Sequence, residues 1–347
     1  MRPSQMKISL LVPCYNEEKA IEASIVSCLN QTRPFDEIIF VDDSSTDSTP
    51  EILARYSDRI IVRKTPRNTG NKSSAQEYGL QFVSGNIMVT TDADTLLDKD
   101  FAKEVTRSFQ QPGIFAMAGY VKSLPYNWLT LARAFDYVIG QDFHKIAQDY
   151  LNYIFVMPGA ASAFRVRTFR RYITFDHDTI TEDLDFTYKL HRHNLKIVYN
   201  RRAISYTQDP ATIKGYANQM RRWYDGGWQN LRKHYRAIGH PTRALELSLI
   251  YAEGLIFSTL FFLIPLINWW LGLKLILLTL AMTCAYGIWA AWRSKRPALL
   301  LAPFPYMILL AINSALFLET FFKEIILRKK NLKWFKPERV KIDIKDS

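Results

Sequence analysis

The chain has 347 residues, with 45 Lys and Arg against 33 Asp and Glu and a formal net charge of +12. That length holds one large or two medium domains, and the unclustered Cys14, Cys28 and Cys284 exclude a disulfide framework or a cysteine zinc site. No nucleic-acid recognition module accompanies the basic excess, most of which flanks apolar segments, so membrane lipids are an expected partner and nucleic acid is not.

In chain order, Lys7 to Val12, Glu37 to Val41, Arg59 to Val62, Asn86 to Thr91 and Ile114 to Val121 read as short strands. Between them, Glu18 to Asn30 carries Ile21, Ile25, Cys28 and Leu29 at helical spacing, and Thr49-Pro50-Glu51 resembles a helix entry. Asn71 to Phe82 predicts a further helix, closed by Gly85. This alternation predicts a parallel sheet covered by helices, with ligands beyond the carboxyl ends of the strands. Pro13 and polar residues follow the first strand in place of a signal-peptide pattern, which predicts a cytosolic catalytic part.

Acidic pairs fall at those strand ends. Asp42-Asp43 follows one strand and Asp92-Ala93-Asp94 another, where alternation along an extended segment lets Asp92 and Asp94 face one site. Two such carboxylates repel unless a divalent cation or hydrogen-bond donors offset them. Paired Asp residues with Ser44 and Thr46 nearby also fit a turn.

Further on, Phe135 to Phe155 is aromatic-rich and fits either core packing or a helix over a binding site. Thr181-Glu182-Asp183 fits an acidic helix start as well as a catalytic carboxylate. The six histidines are scattered, and His191 and His193 do not share a helix face. On a helix, Gln219, Arg222 and Trp223 present an amide, a guanidinium and an indole together, a set suited to a diphosphate and a sugar ring. Trp223 also fits a membrane-interface anchor, and Tyr216 to Tyr235 is amphipathic and basic. From Ala244, three apolar segments (Ala244 to Trp270, Leu271 to Trp292, Ala298 to Phe322) each reach the about 20 residues a bilayer requires. If all three cross, the basic stretch Lys323 to Lys341 lands outside, against the positive-inside tendency; Pro303 and Pro305 leave a re-entrant third segment open.

Glycosyl transfer from a nucleotide diphosphate needs charge stabilisation on the leaving group and a base for the incoming hydroxyl. Asp94 with a metal, Lys72 and Arg222 are candidates for the first, and Asp183 for the second.

The series Pro13-Cys14-Tyr15-Asn16-Glu17, Val41-Asp42-Asp43-Ser44, Gly70-Asn71-Lys72, Asp92-Ala93-Asp94, Thr181-Glu182-Asp183 and Gln219 to Trp223 resembles the processive family 2 glycosyltransferases, such as cellulose, chitin, hyaluronan and poly-N-acetylglucosamine synthases. The resemblance covers roughly Ile8 to Tyr235 and continues into the membrane segments. It implies an α/β, GT-A-type nucleotide-sugar-binding domain with amphipathic interface helices, a C-terminal transmembrane helical region, and inversion at the anomeric carbon. By that resemblance Pro13, Tyr15, Glu17, Asp43, Lys72, Asp92 and Arg222 bind the nucleotide sugar, and Asp94 binds Mg2+ or Mn2+. Asp183 is the general base, and Glu182, Gln219 and Trp223 bind the acceptor. One stretch departs from the pattern: Met157-Pro158-Gly159-Ala160-Ala161-Ser162 has Pro where members often have Ser or Thr before the Gly. Pro there fixes a torsion and removes a donor on the acceptor side.

The expected organisation is a cytosolic GT-A domain over 1–212, an interface helix region over 213–243, two or three membrane spans over 244–322 and a basic tail over 323–347. The expected activity is transfer of a sugar from a nucleotide-diphosphate sugar, a UDP-sugar first, to a growing polysaccharide at the cell membrane, alone or with an oligomeric or accessory partner. Transfer to a lipid-linked acceptor is the runner-up. A catalytically silent membrane adaptor that binds nucleotide or anionic lipid is the reading from another class.

Overall fold

The computed structural model describes residues 6–234 and 241–332; the expected basic tail lies outside the described residues from 333 onward. Strands β1 (Ile8–Cys14), β2 (Glu37–Asp42), β3 (Ile61–Lys64), β4 (Ile87–Thr90), β5 (Leu96–Leu97), β6 (Ile114–Ser123), β7 (Ser162–Arg165) and β8 (Lys196–Thr207) form one sheet. Their order is β3-β2-β1-β4-β7-β6-β8-β5. All seven residues of β1 and all four of β4 are buried, as expected for strands covered on both faces.

The strands expected from the sequence run in one direction, and the two reversed strands, β5 and β7, are ones the sequence reading did not name. β1 to β4 pair in parallel, but β7 runs antiparallel to both β4 and β6, and β5 antiparallel to β8. The chain reaches β7 only after a helical excursion from β6, and the reversed β7 joins the parallel half to the β6–β8 half.

Helices α1 (Ile21–Leu29), α2 (Thr49–Ala54), α3 (Lys72–Leu80) and α4 (Phe101–Gln110) follow in the N-terminal half. Pro50 does open α2. Gly85 does not close α3, which ends at Gln81 in right-handed geometry. Instead, a Cβ on Gly85 would lie 2.4 Å from Ser9 Oγ, so the glycine permits a close approach to the start of β1.

The aromatic-rich stretch forms α5 (Trp128–Ile139), a π-helical turn at Gly140–His144, and α6 (Lys145–Tyr150). After α7 (Val166–Tyr172) and α8 (Glu182–Arg192) comes α9 (Ile213–His234), then α10 (Pro241–Ile267), α11 (Trp269–Ser294) and α12 (Pro303–Phe321). Trp269–Ser294 and Pro303–Ile326 are long and apolar enough to cross a membrane, whereas the apolar part of α10, Tyr251–Ile267, is shorter. Phe257, Leu260, Leu277, Leu278 and Trp292 are exposed on these helices, an apolar surface of the kind lipid covers.

The apolar helices are anchored to the sheet domain through two clusters. Ala290 and Ala291 of α11 pack on Phe135 and Val138 of α5, while Leu309 and Leu316 of α12 pack with Leu129, Tyr216 and Met220. The amphipathic pattern of α9 thus has a packing origin. Trp228 Nε1 donates to Thr320 Oγ1 at 3.2 Å, and Arg221 pairs with Glu319 at 3.0 Å.

Candidate functional site

A cavity of about 710 Å3 opens at the carboxyl ends of β1, β2 and β4 and continues to Tyr251, Gly254 and Phe317 of α10 and α12. Every candidate residue singled out in the sequence lines it.

Pro13, Tyr15 and Glu17 lie at and just after the end of β1, and Asp43 just after β2. Asn16 and Ser44 adopt left-handed backbone, with φ of 54° and 58°, which bends both loops sharply away from the strands. The loops are laced together: Asn16 N–H donates to Ser45 Oγ at 3.0 Å, and Thr46 N–H to Asn16 Oδ1 at 2.7 Å. The acidic pair divides its labour. Asp42 accepts the Ser45 N–H at 2.9 Å, the turn role, whereas Asp43 accepts from Thr65 Oγ1 at 2.9 Å and Thr69 Oγ1 at 2.8 Å. Asp43 therefore shapes the loop leading to Lys72 while it borders the cavity.

Lys72 opens α3, where the Asn71 side chain caps the helix by accepting the Ser74 N–H at 2.8 Å. Its Nζ contacts Asp92 and lies 3.3 Å from Glu182 Oε1. Burial opposes the charge, but Asp92 and Glu182 outweigh it and hold the ammonium above the usual Lys range. Asp94, 5% exposed, lines the same cavity as Asp92. Asp92 and Asp94 bring hard carboxylate oxygens to one cavity, a donor type that suits Mg2+ or Mn2+. The group Asp176, Asp178 and Asp185 also gathers carboxylates, but Lys233 pairs with all three at 2.6 to 2.9 Å, and Lys189 and His234 reach Asp185 at 2.6 Å. Two lysines already offset most of its charge, and it fastens the end of α9 to α8.

Asp183 is the second residue of α8. Its Oδ1 accepts the Leu184 N–H at 2.8 Å and its Oδ2 the Gly159 N–H at 3.3 Å, so it sits in a helix start and borders the cavity at once. Burial and the adjacent Glu182 carboxylate push it up to about 6, against the pull of Lys72, the Leu184 N–H and Arg222. Such a carboxyl is ionised at neutral pH yet basic enough to take a proton.

Helix α9 turns Gln219, Arg222 and Trp223 to the cavity. Gln219 Oε1 and Arg222 Nε are buried with no hydrogen-bond partner in the structure. Leaving such groups unmet costs about 1–3 kcal/mol each, a cost that a polar ligand removes. Trp223 packs against the Leu129–Leu309 cluster, with the Arg133 guanidinium 5.3 Å from its ring centre, so its indole is held in protein rather than at a free surface.

Sequence reasoning missed four residues here. Arg133, 2% exposed, pairs with Asp209 at 3.2 Å and braces Trp223. Lys145 lines the cavity, donates to Val156 O and is lowered to about 8 by burial, with Asp183 pulling the other way. Tyr137 and Gln141 stand near it on the cavity wall. A cation inside an aromatic helix was the available signal.

The strand-end loops, the mixed sheet and this cavity define a sugar-transferring enzyme of GT-A-type architecture. Residues 9–173 match the glycosyl transferase family 2 model, so the chain carries a family 2 glycosyltransferase domain. The poly-beta-1,6-N-acetyl-D-glucosamine synthase of Staphylococcus epidermidis is 27% identical over 249 residues, 71% of this chain and 60% of that protein. The synthase of the same name from Staphylococcus aureus strain COL is 26% identical over 66% of this chain and 56% of that protein. This chain thus spans about 60% or less of the length of these curated relatives. Among solved structures, the mannosyltransferase PcManGT from Pyrobaculum calidifontis, in complex with GDP-Man and Mn2+, superposes with a TM-score of 0.63 at 21% identity over 94% of this chain and 89% of that one. S. aureus TarS 1-349 in complex with UDP gives a TM-score of 0.51 at 18% identity, over 90% and 91% of the two chains. At those identities the two neighbours establish the shared fold.

Proposed function

We propose that this chain is a membrane-bound, divalent-metal-dependent, inverting glycosyltransferase that moves a sugar from a UDP-sugar to a growing polysaccharide. One observation carries the reading: a carboxylate raised to about 6, Asp183, shares a single cavity with Lys72 and with the unmet Nε of Arg222. The polymer acceptor is supported by the synthase relatives, and the metal by the Asp92–Asp94 donor set beside a neighbour solved in complex with GDP-Man and Mn2+.

In the proposed step, Asp183 takes the proton of the acceptor hydroxyl as its oxygen bonds to the anomeric carbon from the face opposite the diphosphate. The bond from that carbon to the diphosphate oxygen breaks, and the negative charge released falls to Lys72 and Arg222. Arg222 suits this task because its planar fork meets two phosphate oxygens at once. Asp94 and Asp92 would hold Mg2+ or Mn2+, whose charge offsets that of the diphosphate. The Gly159 N–H keeps the Asp183 carboxylate oriented. Gln219 and Trp223 offer an amide and a flat apolar face to the acceptor sugar.

Transfer to a lipid-linked acceptor is the second reading, and one feature favours it: the cavity wall continues onto Tyr251, Gly254 and Phe317 of the apolar helices. The test is incubation of the purified full chain in detergent with labelled UDP-sugars and Mn2+, followed by sizing of the product. A ladder of long products is expected, and a single addition recovered in the lipid extract would replace it with the second reading. Chelation should abolish turnover; full activity in excess chelator would remove the metal from the mechanism.

A further inference from the structure

A second cavity, of about 200 Å3, lies where β6, α5 and β8 meet the end of α11. Lys122, Arg201, Arg293, Lys295 and Arg296 line it, against a single lining carboxylate, Asp142. Three of those cations come from the turn that ends α11, where Lys295 takes left-handed backbone with φ of 54° and fans its neighbours around the opening. Mutual repulsion of that many like charges costs free energy that an anion relieves. The crowding is felt at Lys122, which burial and then Arg296 and Arg293 hold below the usual Lys range.

Two buried polar atoms are also unmet. Ser123, 2% exposed, and Asp142, 7% exposed, line the cavity, and neither Ser123 Oγ nor Asp142 Oδ1 has a hydrogen-bond partner in the structure. The other Asp142 oxygen accepts from Tyr120 OH at 3.3 Å and faces Arg293 at 3.7 Å. A simple anion answers the cations but not the remaining carboxylate oxygen, which needs a donor. A phosphate ester carrying free hydroxyls answers both. The volume falls below the range of about 300–1,000 Å3 typical of drug-sized ligands, so a headgroup fits and a nucleotide sugar does not.

From this convergence we propose that the second cavity is a binding site for a polyol phosphate: the phosphate faces the Lys122–Arg296 cluster and a hydroxyl donates to Asp142. Two sources share that chemistry, the headgroup of phosphatidylglycerol and a soluble glycerol phosphate. The headgroup source rests on the membrane reading given above, since the pocket then lies at the end of a spanning helix, where basic pockets meet anionic lipids. Val121 and Tyr137 line both cavities, so an occupant here stiffens the wall of the sugar site.

The experiment is thermal unfolding of the full chain in neutral detergent, titrated with short-chain phosphatidylglycerol, glycerol 1-phosphate, inorganic phosphate and short-chain phosphatidylcholine. Saturable stabilisation by the first or second is expected, weakened about tenfold or more in the double variant Lys122→Gln, Arg296→Gln, because two charge-assisted hydrogen bonds are lost. The double variant should keep its basal transfer rate, which certifies its fold, and Arg222→Ala, altered at the other phosphate subsite, should keep the full response. Tighter phosphatidylglycerol binding assigns the lipid source, and equal or tighter glycerol phosphate assigns the soluble one. An unchanged response in the double variant overturns the site, and inorganic phosphate or phosphatidylcholine matching the polyol phosphates overturns the recognition of the polyol. Flotation with phosphatidylcholine vesicles tests the membrane reading separately: a chain that binds glycerol phosphate but does not float keeps this site and loses that reading.

Discussion

The two halves of the main cavity are built differently. On the side proposed for the nucleotide, short loops at adjacent strand ends are cross-linked by their own polar groups: Asn16 to Ser45 and Thr46, Asp43 to Thr65 and Thr69. On the opposite side Asp183 comes from α8 and Gln219 and Arg222 from α9, and two of the three carry buried atoms with no partner in the structure. The first half is pre-formed by internal hydrogen bonds, and the second keeps its polar capacity for what enters. Free energy withheld from the resting state in this way becomes available when the ligand arrives.

That contrast is most exposed to attack at Asp183, the proposed base. Asp183→Asn keeps shape and capping ability but not basicity, so the transfer rate should fall by roughly 10²-fold or more while UDP binding by calorimetry survives. Near-normal transfer would leave Asp183 with only the helix-start role. In the wild type, the rate should climb with pH through about 6 as the carboxyl ionises, and level off above it. Arg222→Ala should follow, with a loss on the order of 10²-fold in turnover, and Arg222→Lys should recover part of it because charge returns without the fork. Wild-type turnover in the Ala variant would mean that the unmet Nε has no bearing on the diphosphate.

Smaller effects sharpen the same contrast. A Cβ at Gly159 would stand 2.7 Å from Lys72 Nζ and 3.7 Å from Asp183 Oδ2, so Gly159→Ala should raise the donor KM several-fold by pushing the lysine aside, an effect on the order of 1 kcal/mol. An unchanged KM would show that Lys72 yields without consequence. Lys145→Met removes a cation that interacts with Asp183, so the acid limb of the pH–rate profile should move upward by about half a unit. A limb that stays in place, or moves down, would detach Lys145 from the base.

The nucleotide half was the more legible from sequence because its chemistry is local. Each acidic pair directly follows an apolar run that forms a buried strand, so period and position together point at the strand end. The acceptor half was legible as residue types but not as geometry. Gly159 meets Asp183 across 24 positions, and Trp228 meets Thr320 across 92, distances over which no periodicity speaks. The reversed strand β7 was hidden for the same reason, since the four residues Ser162 to Arg165 pair equally well in either direction until their neighbours are known. Gly85 misled because a glycine after a helix has two uses, and only the position of Ser9 distinguishes them.

Gly226 ties the apolar helices to the chemistry. A side chain there would drive into Thr181, whose Oγ1 would stand 2.2 Å from the added carbon, so the backbone of α9 lies directly against the residue two before Asp183. Asn230 clamps the same spot, donating to Thr181 O at 3.2 Å and to its Oγ1 at 3.0 Å, while Gln229 holds Ile180 N–H at 3.0 Å and reaches Glu324 at 2.7 Å. Gln229 thus touches both the turn that precedes Asp183 and the segment beyond α12. Under the proposed function, α9 therefore links the position of α12 to the helix start that presents Asp183.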